Sequence, residues 1–129
     1  MAVTQTLQIM IEQIKSVTGQ PAVDETHKPT TNERNNIVHL CFKYTLGIQF
    51  RIADLSIIEM MAGDIRSMED LRKTYIPTIA EYMWDHFMGE PEEPSLELVE
   101  QFCHAIVDCF FTMDQETRND INSYPEDEP

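Results

Sequence analysis

Residues 95–113, SLELVEQFCHAIVDCFFTM, constrain the fold more than any other part of the chain. At about 100° per residue, a helix over this stretch has one wholly apolar side that covers more than half of its circumference. A surface helix usually buries a narrower stripe, so we predict a central helix that packs against two or three neighbours, with Ser95 as its N-cap. The side chains predicted to be buried are Leu96, Val99, Phe102, Cys103, Ile106, Val107, Phe110 and Met113.

Other segments also show helical spacing. Residues 4–17 predict an amphipathic helix with Leu7, Met10, Ile11, Ile14 and Val17 on its apolar side. Residues 20–30 predict a surface connector, and Thr31 or Asn32 is predicted to cap the next helix.

The middle of the chain is harder to interpret, because residues 48–52 alternate apolar and polar side chains as a short strand does. No second strand is evident to pair with them, so we predict a helix, kinked at Gly47, that continues to Gly63. Ser67 is predicted to cap a short helix. Pro77 either ends that helix or lies in the first turn of a separate one over residues 78–88.

Together these segments predict an all-α protein, a compact single-domain bundle of five or six helices. Residues 1–122 form this domain, with the connector at 20–30, and residues 123–129 form an acidic C-terminal tail. Three cysteines without paired spacing, no signal peptide and no apolar run of bilayer length predict a cytoplasmic protein, in the host cytoplasm if the source is a virus.

The charge is distributed unevenly. Residues 1–75 hold nine acidic and eight basic side chains, whereas residues 76–129 hold fourteen acidic side chains and one basic one, Arg118. Nearly all of the net charge of −14 therefore lies in the last 54 residues. Such a surface repels nucleic acid and anionic membranes and attracts basic surfaces, so we expect neither direct nucleic-acid binding nor membrane binding.

The spacing of the potential metal ligands and catalytic residues gives little support for a metal site or an active site. His39 lies near Cys41, and Cys103 and His104 lie near Cys109, but zinc sites typically need paired ligands, so the cysteines are interpreted as core residues. Glu97 and Glu100 could hold magnesium in a helical hydrolase, yet no second carboxylate pair is evident. We predict no metal, no cofactor and no catalysis.

The carboxylates of the second half are the stronger candidates, together with apolar side chains near them. Trp84 and Met88 lie toward the edge of their predicted helix, whereas Ile79, Met83 and Phe87 are predicted to be core. Glu100, His104 and Asp108 follow one another at intervals of four and are interpreted as a solvated face. The predicted partner-binding residues are Glu81, Trp84, Asp85, Met88, Glu90, Glu92, Glu93, Glu97, Glu100 and Asp108.

The predicted function is that of a non-catalytic acidic protein, an inhibitor or accessory factor that docks on a basic surface of a partner protein. Spaced carboxylates on rigid helices would mimic nucleic acid there. In charge and size alone, the chain is similar to small acidic accessory proteins of phages and other viruses. The alternative is a helical adaptor or a homo-oligomer, such as a homodimer, that binds a partner helix through an apolar surface of Trp84, Met88 and Met60 or Met61.

Overall fold

A central helix, α6 (Leu96–Phe111), organises the fold. The computed structural model describes residues 3–18, 23–45, 52–87 and 93–113, and these form an all-α structure without a strand among them. The side chain of Ser95 accepts a hydrogen bond from the backbone N–H of Leu98, as predicted for the N-cap. Of the predicted apolar side, Leu96 and Met113 are only half-buried and the other six residues are buried, as are Ala105 and Phe111.

Three helices pack around α6, which confirms its central position. They are α1 (Val3–Val17), α2 (Thr31–Thr45) and α5 (Ile76–Asp85). Leu7 and Ile11, on the predicted apolar side of α1, are buried in the core. Val17, predicted on the same side, is 70% exposed, so this side ends one turn earlier, at Ile14.

The start of α2 differs from the prediction by one residue. Thr30, rather than Thr31 or Asn32, caps the helix: its hydroxyl accepts a hydrogen bond from the Glu33 N–H, and the Glu33 carboxylate accepts one from the Thr30 N–H. This reciprocal pair of hydrogen bonds is a capping box. It satisfies two backbone N–H donors, whereas a cap at Thr31 or Asn32 would satisfy one, so the helix begins after Thr30.

The next helix, α3 (Ile52–Ala62), ends at Gly63 as predicted. Gly63 has a φ of 78°, the left-handed conformation that favours glycine, and its N–H bonds to the Glu59 carbonyl. Of the predicted helix over residues 48–52, only the last residue lies within the described residues. Gly47, the predicted kink, lies outside them as well.

The two helices predicted on either side of Pro77 are joined. Ser67 caps α4 (Met68–Asp70) as predicted, and the chain continues through a π-helical turn, Leu71–Tyr75, directly into α5. The Ile76 N–H bonds to the carbonyl of Leu71, five residues back. In an α-helix the ring of Pro77 would clash with a carbonyl four residues back, and the wider π turn just before it relieves this conflict.

The described part of the connector, residues 23–30, lies mostly at the surface as predicted, although parts of it pack against the helices. Pro29 is buried, and the ring of His27 lies 5.4 Å from that of Phe111 at the end of α6. The predicted C-terminal tail at 123–129, and the end of the predicted domain at 122, lie outside the described residues. Among the helices that are described, none has the length and apolar character needed to span a bilayer.

Candidate functional site: the acidic side of α5 and α6

The end of α5 is fastened to the start of α6 through Trp84. Its indole Nε1–H donates a hydrogen bond to the carbonyl oxygen of Pro94 at 3.0 Å, and the half-buried ring packs against the core. Met83 and Phe87 are buried, as predicted. Trp84 does lie at the edge of α5, but its polar atom is already used within the chain.

This junction holds several carboxylates on a rigid pair of helices. Glu81 and Asp85 lie one turn apart and exposed on α5, Glu97 is exposed in the first turn of α6, and Glu100 is half-buried. None of these four forms an ion pair with a basic side chain in the described part of the chain. The three exposed carboxylates therefore direct their negative charge to solvent.

Glu93 is also exposed, just before α6. Met88, Glu90 and Glu92, the other predicted partner-binding residues, lie outside the described residues. The structure thus brings the acidic residues of α5 and the first turns of α6 onto one scaffold and leaves these three undescribed.

Acidic residues of the first half are arranged differently, because many of them have a basic partner. Their ion pairs are His27–Glu33 at 2.8 Å, Arg34–Glu59 at 3.1 Å, Arg66–Asp64 at 2.9 Å, Lys73–Glu69 at 2.8 Å and Arg72–Glu25 at 2.9 Å. Ion pairs thus engage five of the nine acidic residues of the first half, whereas Glu81, Asp85, Glu97 and Glu100 have no such partner among the described residues.

Asp108 lies on the predicted solvated face, with 46% of its side chain exposed, but it forms an ion pair there. Arg72 from the π turn reaches its carboxylate at 2.9 Å and also binds Glu25, so one guanidinium links the connector, the π turn and α6. Asp108 is consequently engaged within the chain rather than available in the same way as Glu97. No spacing within α6 reveals this, because Arg72 lies 36 residues away in sequence.

His104 shares this environment. Burial lowers the pKa of its imidazole, and the nearby positive charge of Arg72 lowers it further, while Asp108 and Glu100 oppose the shift. A shallow groove between α1 and α6 lies over it, lined by Lys15, Thr18, Gln101, His104, Ala105 and Asp108. The neutral form of His104 is thus favoured. The groove around it combines this imidazole with the basic Lys15 and the acidic Asp108, so its charge is mixed rather than negative.

In the described part of the chain, no group of three or more His, Cys, Asp or Glu side chains is arranged to hold a metal ion. The Glu97–Glu100 pair therefore has no described carboxylate partners for magnesium. Cys41 and Cys103 are buried in the core, as predicted, whereas Cys109 is half-buried.

An apolar surface on α3 was only partly predicted. Met60 and Met61 are exposed there, and so is Ile57, which the sequence analysis did not single out. The signal was available: apart from Asp54, Ser56 and Glu59, the α3 segment is apolar, and a small protein buries only part of such a helix.

No model of a known protein family matches this chain, and no curated protein or solved structure is significantly similar to it.

Proposed function

We propose that this protein is a non-catalytic interaction protein whose α5–α6 carboxylates dock on a basic surface of a partner protein. The observation that supports this best is the contrast in pairing. Glu81, Asp85 and Glu97 are exposed and lack an ion-pair partner among the described residues, whereas much of the acidic charge of the first half is matched by Arg, Lys or His.

Unpaired carboxylates on rigid helices suit such docking for an energetic reason. An exposed carboxylate that already has a partner must lose it before it binds another cation, whereas an unpaired one gains the full interaction. Because the Trp84–Pro94 bond holds the end of α5 to the start of α6, little backbone order has to be created within these two helices on binding.

The class of partner follows from the same charges. A protein surface that binds nucleic acid carries spaced Lys and Arg side chains, and a helical array of carboxylates presents complementary charges to them. The protein would then act as an inhibitor or accessory factor that competes with nucleic acid for this surface.

A salt-gradient capture experiment with a nucleic-acid competitor tests the proposal. The immobilised protein is incubated with cell extract at low salt, then eluted with rising salt or with added duplex DNA. We expect a basic, nucleic-acid-binding protein that leaves early in the gradient and is displaced by duplex, because exposed charge pairs are screened over about 10 Å at 0.1 M salt.

Two variants with equal changes in net charge separate local from general electrostatics. The test variant, Glu81→Gln, Asp85→Asn and Glu97→Gln, should lose the partner. The control variant, Glu12→Gln, Asp64→Asn and Glu69→Gln, removes three exposed carboxylates elsewhere and should retain it. Equal loss with both variants, or retention with both, would show that the α5–α6 carboxylates do not form the docking surface.

A further inference from the structure

Two cysteines from different helices meet in the core. Cys41 on α2 and Cys103 on α6 are both 0% exposed, and neither is part of a disulfide. The thiol of Cys103 faces two sulfur atoms: it is hydrogen-bonded to the side chain of Cys41 and lies 3.8 Å from the sulfur of Met83. The fold therefore holds two thiols in contact that come from distant parts of the sequence.

Contact between these side chains meets the first geometric requirement of a disulfide. The bond needs sulfurs about 2.05 Å apart, and cysteines on elements that do not touch cannot form it without backbone movement. Hydrogen-bonded thiols already point toward each other and need only a small further approach. The small size and apolar character of cysteine explain burial alone, but mutual contact between two of the three cysteines adds the capacity for one specific cross-link.

We propose that Cys41 and Cys103 form a site of reversible oxidation, at which a small-molecule disulfide such as glutathione disulfide converts the two thiols to a disulfide that locks α2 onto α6. The third cysteine, Cys109, takes no part in this reaction. It is half-buried, and its side chain hydrogen-bonds with Thr18, just beyond the end of α1, rather than with the other two cysteines.

The oxidation proceeds by two thiol–disulfide exchange steps. The thiolate of one cysteine attacks a sulfur of glutathione disulfide, breaks its S–S bond and releases one glutathione thiolate, which takes up the proton that the cysteine lost. The second cysteine, also as its thiolate, attacks the protein sulfur of this mixed disulfide and releases the second glutathione, which is protonated in the same way. Two cysteine sulfurs are oxidised and two glutathione sulfurs are reduced, so electrons and protons balance.

Access to the two thiols decides how fast this site reacts. The thiolate is the nucleophile, and the mutual hydrogen bond, together with burial, raises the pKa of the Cys103 thiol well above its ordinary value. Glutathione disulfide is also too large to reach a fully buried sulfur. The reaction therefore takes place in molecules in which the contact between α2 and α6 has opened, and the bond, once buried again, is protected from reductants in the same way.

Oxidation should stabilise the fold. The bond closes a loop of about 60 residues in the unfolded chain and so lowers the conformational entropy of that state. For a loop of this length in a domain of this size, we expect the melting temperature to rise by about 10 °C. Reduction returns the protein to its original stability, so the melting temperature is a direct readout of the redox state of the pair.

Peptide mapping of the full chain with Cys109→Ser tests the proposal, because trypsin then leaves Cys41 and Cys103 as the only cysteines, on two separate peptides. The reduced protein is incubated with glutathione disulfide at about pH 8, with and without sub-denaturing urea. After acid quenching and removal of glutathione, remaining thiols are blocked with iodoacetamide in denaturant and the chain is digested. We expect one intramolecular cross-link, formed faster in urea, and a melting temperature about 10 °C above that of the reduced form.

Cys41→Ala in the same background removes one partner and should show neither the cross-link nor the stabilisation. This control alters the core, so the decisive comparison is between the oxidised and reduced forms of the Cys109→Ser variant, which keeps both core cysteines. The proposal would be overturned by thiols that stay unmodified even in urea, by glutathione attached without a cross-link, by cross-links only between chains, or by an oxidised form that melts no higher than the reduced one. A rate of cross-linking unaffected by urea would overturn the role assigned to opening.

Discussion

The phenolic hydroxyl of Tyr82 on α5 donates a hydrogen bond to the buried carboxylate of Asp54 on α3. The same relationship recurs one and a half turns along α3, where Tyr75 donates to Glu59. Two tyrosines seven residues apart on one continuous helical run thus bind two carboxylates five residues apart on its neighbour. These contacts fix the rotation of α3 about its own axis and therefore decide which of its side chains face solvent.

Replacing Tyr82 with Phe should lower the free energy of unfolding by about 1–3 kcal/mol, because the substitution keeps the ring and removes a donor from a buried carboxylate. Urea denaturation of the variant and the parent protein measures this difference. A double-mutant cycle with Asp54→Ala, which removes both carboxylate oxygens, isolates the pair. Strictly additive effects of the two substitutions would contradict a direct interaction.

Tyr75 should make the protein sensitive to alkaline pH. Burial, reinforced by the hydrogen bond to Glu59, raises the pKa of the Tyr75 hydroxyl far above its ordinary range. In the unfolded chain this group titrates near pH 10, so above that pH the unfolded state loses a proton that the folded state keeps. The contribution of Tyr75 to stability is therefore complete below about pH 10 and is lost as pH rises further.

Urea unfolding at pH values from about 8 to about 11 measures this effect. The variant Tyr75→Phe retains the ring but not the titrating group, so its unfolding free energy should fall less steeply over the same range. Parallel curves for parent and variant would show that Tyr75 titrates normally in the folded protein.

The sequence was most informative where the determining interactions are local. The breadth of the apolar side predicted the central position of α6, and Ser95, Ser67 and Gly63 marked helix ends correctly, because a cap acts on residues at most four positions away. Pro77 was also recognised as a conflict within a helix. The π turn that resolves this conflict is one of several possible solutions, and the sequence alone does not select among them.

The candidate site was less predictable, because its character depends on contacts between distant residues. The position of Asp108 on α6 correctly predicted a partly exposed side chain. It did not predict the ion pair with Arg72, which comes from another helix. Similarly, helix geometry placed Trp84 at an edge but could not show that its indole binds Pro94. That Glu81, Asp85 and Glu97 have no ion-pair partner among the described residues likewise becomes visible only in the folded structure.

The capping box at α2 gives a direct test of the corrected helix start. Thr30→Ala removes the hydroxyl that accepts from the Glu33 N–H and should lower the free energy of unfolding by about 1 kcal/mol. Asn32→Ala at an exposed position inside the helix should change stability much less. Urea denaturation measures both variants. A larger loss of unfolding free energy for Asn32→Ala than for Thr30→Ala would indicate that Asn32, and not Thr30, is the N-cap.

The cysteines should differ in reactivity according to their depth. Cys41 and Cys103 are fully buried, and the hydrogen bond between their side chains, together with burial, raises the pKa of the Cys103 thiol well above its ordinary value. Cys109 is half-buried, and burial raises its pKa as well. Because the thiolate is the reactive form and must meet the reagent, iodoacetamide should modify Cys109 slowly in the folded protein and the other two only after unfolding.

Mass spectrometry of the alkylated chain, followed by peptide mapping, locates each adduct. A parallel reaction in guanidinium chloride should modify all three cysteines and establishes that each is intrinsically reactive. Modification of Cys103 at the rate of Cys109 without denaturant would mean that the contact between α2 and α6 opens readily. Protection of Cys41 and Cys103 until global unfolding would instead identify that contact as part of the most stable region of the core, where opening requires the whole molecule to unfold.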